Sequence, residues 1–141
     1  MSVMDWARWN QNVHPELELL HHCPNGGSRN KAEAVKLKQM GVKAGIPDLC
    51  LPVPMGVYSG LYIEMKYDTG RLEDSQKKML KALAAAGHYC TVCYGAEEAI
   101  RVLEEYINLK KIDTGNREDT MSEQNMMIRK NGKVKCIIFK E

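Results

Sequence analysis

The chain has 141 residues, 44% hydrophobic and 27% charged, enough for one domain with one real core. No apolar run approaches the ~20 residues a membrane helix requires, and the N-terminus lacks the basic start and apolar stretch of a secretory signal, so a cytoplasmic protein is expected. A net charge of +2 does not by itself point to a polyanion, so any such partner must be argued from where the charges sit.

The periodicity predicts a first helix over Met4–Val13, with Trp6 and Trp9 three residues apart on one face, broken by Pro15. Glu18–Cys23 reads as a short strand, and Pro24-Asn25-Gly26-Gly27 is turn punctuation. A second helix is expected over Asn30–Met40, with Ala34, Leu37 and Met40 as its apolar stripe and Gly41 closing it. Leu49–Val53 and Leu61–Lys66 are β-type runs joined by the loop 54–60, hence a hairpin. With Gly56 at its centre, Asp48 and Glu64 lie equally far on either side and face each other across the strands. A third helix is expected over Ser75–Ala86 with Ser75 as its cap, then a strand over Tyr89–Tyr94. A last helix follows from Ala96 to about Leu109, with Ile100, Leu103 and Ile107 on one face.

Helix, strand, helix, hairpin, helix, strand, helix makes an α/β sandwich with a mixed central sheet flanked by helices: the hairpin is antiparallel, and the helical crossover from Lys66 to Tyr89 permits a parallel neighbour. Residues 1–109 form the expected domain and the polar stretch 110–125 a linker. Residues 126–141 form a C-terminal β-hairpin around Asn131-Gly132. Ile128, Val134, Ile137, Ile138 and Phe139 make that hairpin too apolar to stand free, so it is expected to pack on a protein surface and help form a homodimer, with exchange between subunits as a low-cost route and folding onto its own sheet edge as the alternative.

Alternation along a strand puts Glu64 and Lys66 on one face and Ile63 and Met65 on the other. Opposed residues of an antiparallel pair have Cβ atoms about 5 Å apart, so the Asp48 and Glu64 carboxylates come together beside Lys66. Two such acids repel unless a cation lies between them, and a hard divalent ion answers that need. Phosphodiester hydrolysis uses this set: a metal ion to activate water and a cation to meet developing charge. A bare Glu-x-Lys is more often a solvated pair on a strand edge, so the context must decide.

The five cysteines, at 23, 50, 90, 93 and 136, form no disulfide framework and are expected to be reduced and mostly buried. Cys90 and Cys93 lie in one strand with their thiols on opposite faces, which argues against a zinc site with His21, His22 and Cys23, and a redox Cys-x-x-Cys should open a helix, not end a strand.

The segments Pro24-Asn25-Gly26-Gly27-Ser28-Arg29, Gly41-Val42-Lys43-Ala44-Gly45-Ile46-Pro47-Asp48-Leu49 and Gly60-Leu61-Tyr62-Ile63-Glu64-Met65-Lys66, followed by Gln76, Gly87-His88-Tyr89 and Tyr94-Gly95-Ala96-Glu97-Glu98-Ala99, resemble the virus-type replication-repair nuclease (VRR-NUC) family of the PD-(D/E)XK superfamily. The resemblance spans Trp6 to Ile107 and implies a PD-(D/E)XK (restriction-endonuclease-like) core. It implies Asp48, Glu64 and the Met65 carbonyl as ligands of Mg²⁺ or Mn²⁺, Lys66 as the catalytic lysine and Gln76 beside the active site. The implied activity is metal-dependent DNA endonuclease, on branched or four-way DNA in replication, repair or recombination. A homodimer in a bacterial or phage-infected cell is the implied setting. Asn25, Gly26, Gly27, Arg29, Lys31 and Lys43 are the expected DNA contacts. Family members carry a further acid in the first helix; here only Asp5, or Glu123 from the tail, is available to replace it. The competing expectation is therefore a DNA-binding module that keeps the nuclease fold with weak or lost catalysis.

Overall fold

The computed structural model describes residues 1–24, 30–109 and 125–138. Helix α1 (Val3–Asn10) starts at Ser2, whose hydroxyl accepts from the Asp5 N–H, and turns Val3 and Ala7 inward. Trp6 packs against the core from the flank of that stripe, whereas Trp9 is 71% exposed, so the two rings do not share a buried face. The expected strand Glu18–Cys23 is instead a 3₁₀ helix, Pro15–Leu19, followed by the two-residue strand β1 (His21–His22). Pro15 fixes the first turn, and the buried Leu17 and Leu20 are three residues apart, the period of a 3₁₀ helix and not of a strand.

Helix α2 (Lys31–Gln39), capped by the Asn30 side chain on the Ala32 N–H, buries no residue: Ala34 and Leu37 are half-buried, and Met40 is exposed. Strands β2 (Leu49–Leu51) and β3 (Leu61–Lys66) form the antiparallel hairpin in the expected register, Leu49 opposite Ile63 and Cys50 opposite Tyr62. β2 stops before Val53 because prolines at 52 and 54 cannot donate to a ladder. Helix α3 (Asp74–Ala85) begins earlier than expected. Its cap is Glu73, not Ser75, because the Gln76 side chain reaches back to the Glu73 N–H at 2.9 Å. Strand β4 (Tyr89–Tyr94) pairs parallel with β3, and helix α4 (Ala96–Ile107) buries Ala99, Val102, Leu103, Tyr106 and Ile107, with Ile100 only half-buried.

Strands β5 (Asn125–Lys130) and β6 (Lys133–Ile138) are joined by Asn131-Gly132, both at positive φ as a tight hairpin requires. β5 pairs parallel with β4, Val92 beside Ile128, so the described residues form one mixed six-stranded sheet in chain order β1 to β6. The hairpin thus joins the edge of its own sheet through β5, with Ile128 packed on the α3 face, while Val134 is 50% exposed. Phe139, Glu123 and the expected linker residues 110–124 lie outside the described residues.

The sheet separates two apolar layers. On one face Leu49, Leu51, Leu61, Ile63 and Cys93 pack with α1, the 3₁₀ helix and α4; on the other Tyr62, Cys90, Val92 and Ile128 pack with Leu80 and Leu83 of α3. Cys90 and Cys93 fall on opposite faces, as the strand period requires, and burial pushes each thiol up to about 12. The described Cys23, Cys50, Cys90 and Cys93 are free thiols.

Polar contacts fasten the hairpin to α4. The buried Arg129 guanidinium donates to both Glu105 oxygens, at 2.9 and 2.6 Å, and the Gly132 N–H donates to Glu98 Oε1 at 2.6 Å. Because Glu105 is partly in water, removing its partner costs less than breaking a fully buried pair. Arg129→Ala should destabilise the fold by about 2 kcal/mol. Urea unfolding checks it; an unchanged midpoint would show the hairpin is not held through Arg129.

Candidate active site

Asp48 immediately precedes β2, and extending the observed register by one residue sets it opposite Glu64. Its backbone carbonyl accepts from the Cys23 N–H at 2.7 Å, and its carboxylate Oδ2 accepts from the Met65 N–H at 2.7 Å. β1 and β3 therefore hold the residue from both sides. The loop before it is docked on the start of α3: a Cβ at Gly45, which has φ +82°, would lie 2.3 Å from the Ser75 carbonyl oxygen. Only glycine allows that approach, which sets the loop leading to Asp48 directly against the turn that carries Gln76.

Glu64 is 2% exposed, on the α3 face of the sheet. Gln76 Nε2 donates to its Oε1 at 3.1 Å, and Lys66 Nζ lies 3.9 Å from the same oxygen. Since Gln76 Oε1 is occupied by the Glu73 N–H, its amide is oriented and must present the nitrogen to Glu64. The other oxygen, Oε2, is buried with no donor. Burial first, and then the neighbouring Asp48 charge, pushes the Glu64 carboxyl up to about 8 against the pull of Lys66.

In a strand the N–H and C=O of one residue point to the same edge. The Met65 N–H is turned toward Asp48, so its carbonyl looks that way too, past the end of β2. A buried carboxylate oxygen without a donor, a second acid facing it and a backbone carbonyl on that edge fit a hard divalent cation that keeps several waters. Among the described residues no group of three or more His, Cys, Asp or Glu side chains converges. Asp5 does not supply the further acid: its carboxylate accepts from Ser2 Oγ at 2.7 Å and Arg8 at 3.0 Å on α1.

Asp48, Glu64, Met65, Lys66 and Gln76 are thus brought together. Lys31 and Lys43 are exposed, as are Lys36 and Lys38 of α2. The expected contacts Asn25, Gly26, Gly27 and Arg29 lie outside the described residues. Glu73, which caps α3 and adds negative charge near Glu64, was legible as a Glu-x-x-Gln capping box but was not read as one.

An acid at the head of one strand opposite Glu-x-Lys on its antiparallel neighbour, on a mixed sheet between helices, is the core of a PD-(D/E)XK nuclease-type domain. The chain belongs to the VRR-NUC domain family, whose model matches residues 2–97. A solved structure described as a VRR_NUC domain protein is similar to it at 37% identity and a TM-score of 0.66, over 79% of this chain and 86% of that one. No curated protein matches.

Proposed function

We propose that this chain is a Mg²⁺- or Mn²⁺-dependent deoxyribonuclease that cuts DNA internally by hydrolysis. The observation that carries this is the buried Glu64, with a donorless Oε2, facing Asp48 and flanked by Lys66. Two acids so placed repel each other when both are ionised, and a bound cation relieves that repulsion. Asp48, Glu64 and the Met65 carbonyl would hold the ion, which supplies Lewis acidity toward the phosphoryl oxygen and lowers the pKa of water.

The chain's own groups do the rest. Gln76 fixes the Glu64 carboxylate. Lys66 brings a positive charge to the phosphoryl oxygens as water oxygen bonds to phosphorus and the ester P–O bond breaks, leaving one end with phosphate and the other with hydroxyl. Lys31, Lys36, Lys38 and Lys43, all exposed, offer charge to the DNA backbone, with Arg29 and the Asn25-Gly26-Gly27 turn as further contacts. Buried thiols suit the cytoplasm of a bacterial or phage-infected cell, and among the described residues no helix is long and apolar enough to cross a membrane. Branched or four-way DNA bound by a homodimer, in replication, repair or recombination, is the substrate and assembly that the family resemblance adds. Light scattering of the full-length protein tests the dimer.

Lys66→Ala should reduce metal-dependent nicking of plasmid DNA by about a hundredfold while DNA affinity at fixed salt stays within a few-fold. The absence of a third clustered acid among the described residues favours one rival, a DNA-binding module with lost catalysis. Under that alternative the parent protein binds DNA but shows no nicking for Lys66→Ala to remove.

A further inference from the structure

Lys66 closes β3, and the chain then turns through residues 67–73 to reach the capped start of α3. This loop joins Lys66 to Gln76, so its conformation bears on both. Little inside it is self-supporting: the Gly70 N–H donates to the Tyr67 carbonyl at 2.9 Å, and Asp68 sits at φ +52°, a conformation that costs a non-glycine residue energy. Something outside the loop must hold it.

Two side chains do. The Tyr94 hydroxyl donates to the Gly70 carbonyl at 2.5 Å, and the Lys130 ammonium donates to the Asp68 carbonyl at 2.8 Å while lying 4.7 Å from the centre of the Tyr94 ring. The strand register makes this a row. Lys66 is opposite Tyr94, and Lys130 is two residues beyond Ile128, the partner of Val92, so the three side chains share the face that carries Glu64. Gly70 in turn lies beside the lysine stem: a Cβ added to it would come within 3.5 Å of Lys66 Cδ. Behind Lys66 its carbonyl accepts from the Gly95 N–H at 3.0 Å, the residue directly after Tyr94.

We infer that Tyr94 and Lys130 are positioning residues for Lys66: they tie the 67–73 loop in place beside its aliphatic stem, and the C-terminal hairpin thereby becomes part of the catalytic unit. Lys130 lies beyond the stretch that matches the family model. The inference rests on the role proposed above for Lys66. A lysine stem has four rotatable bonds, so a wall along it narrows where the ammonium can go, and misplacement of a charge-bearing group by about 1 Å can cost up to a hundredfold in rate. Lys130 is exposed, and its ammonium is already engaged by a carbonyl and a ring face, which suits a tether better than a free phosphate contact.

The test uses full-length protein, duplex oligonucleotide and Mn²⁺, with Tyr94→Phe, Lys130→Ala and Lys130→Arg. The first two should each lower kcat by about tenfold with KM and the salt dependence of binding unchanged. Lys130→Arg should recover most of the rate, because a guanidinium can also donate to the carbonyl while resting on the ring. Amide exchange over residues 68–72 should quicken in the first two variants at an unchanged midpoint of unfolding. Unchanged kcat overturns the inference. So does a loss confined to KM with a shallower salt slope, which would make Lys130 a phosphate contact, or a loss of rate matched by a loss of global stability. If the parent protein itself does not cut DNA, the proposed function fails separately, and exchange alone decides: quickened exchange at Gly70 supports the tether, and unchanged exchange overturns it.

Discussion

Asp48→Asn and Glu64→Gln should each lower metal-dependent cleavage by about a thousandfold while leaving the fold intact. In the mechanism proposed above, either change leaves one acid of the two that would hold a divalent ion, and DNA binding should survive better than cleavage because the proposed phosphate contacts lie elsewhere. Glu64→Gln carries a second expectation of opposite sign. In metal-free protein the Glu64 carboxyl titrates at about 8, against an ordinary value of 4.5, so the folded state holds a proton that the unfolded chain releases. Stability from this group is fully present below about pH 4.5 and is lost as pH rises through about 8. In chelator, the parent should therefore weaken by roughly a few kcal/mol between those limits, and Glu64→Gln should remove most of that slope and be the more stable protein at the alkaline end. Thermal unfolding with and without Mg²⁺ reads both effects. A parent equally stable at both ends in chelator would contradict the raised titration of Glu64, and a Glu64→Gln protein that still cuts would contradict its assignment as a cation ligand.

Gly45→Ala is the substitution expected to damage the fold most. Its φ of +82° alone costs an alanine roughly 1–2 kcal/mol. The new methyl would also stand 2.3 Å from the Ser75 carbonyl oxygen and 2.6 Å from its carbon, both backbone atoms that cannot swing aside. A total loss of about 3 kcal/mol or more is expected, a fall of about 10 °C in melting temperature for a domain of this size. Cleavage should fail below that temperature too, since the displaced loop carries Asp48 and the displaced turn carries Gln76. Gly41→Ala is the control: it has φ +97° but no atom within 4 Å of the added methyl, so it bears only the conformational cost. Equal losses at the two positions would show that contact with α3 does not matter.

The two strands that carry the acids were legible because their evidence is local. An apolar run, a proline- and glycine-rich loop and a second apolar run fix a hairpin register, and the Leu49–Ile63 pairing agrees with it. β4 and the C-terminal hairpin were legible for the same reason. Of the segment Glu18–Cys23, only His21–His22 form a strand, because the preceding residues are drawn into a 3₁₀ helix by the burial of Leu17 and Leu20 three residues apart. For Trp6 and Trp9, spacing tells that they share a side of the helix but not how far each ring reaches the core, and Trp9 is exposed. Within the site, Asp48, Glu64 and Lys66 could be assembled from strand alternation. Gln76 rested on resemblance alone, because its contact with Glu64 spans two elements and depends on the packing of Gly45 against Ser75. The ties of Lys130 and Arg129 to the domain were out of reach: no periodicity states which edge of a sheet a later hairpin will join.

Strand order along the sheet equals strand order along the chain, so no strand must be inserted between two already paired; each adds to an open edge. During synthesis from the N-terminus, β1, β2 and β3 can pair in turn, and Asp48 can face Glu64 before any residue after α4 exists. β4 then docks through the crossover α3, and β5 and β6 arrive last. The nascent domain therefore passes through a stage in which the facing acids are in place while the edge of β4 is bare, exposing unpaired backbone donors and acceptors to other chains. Docking of the hairpin covers the edge of β4 and leaves the last strand, β6, at the rim, so chains released before Asn125 should aggregate more readily than chains that carry the hairpin.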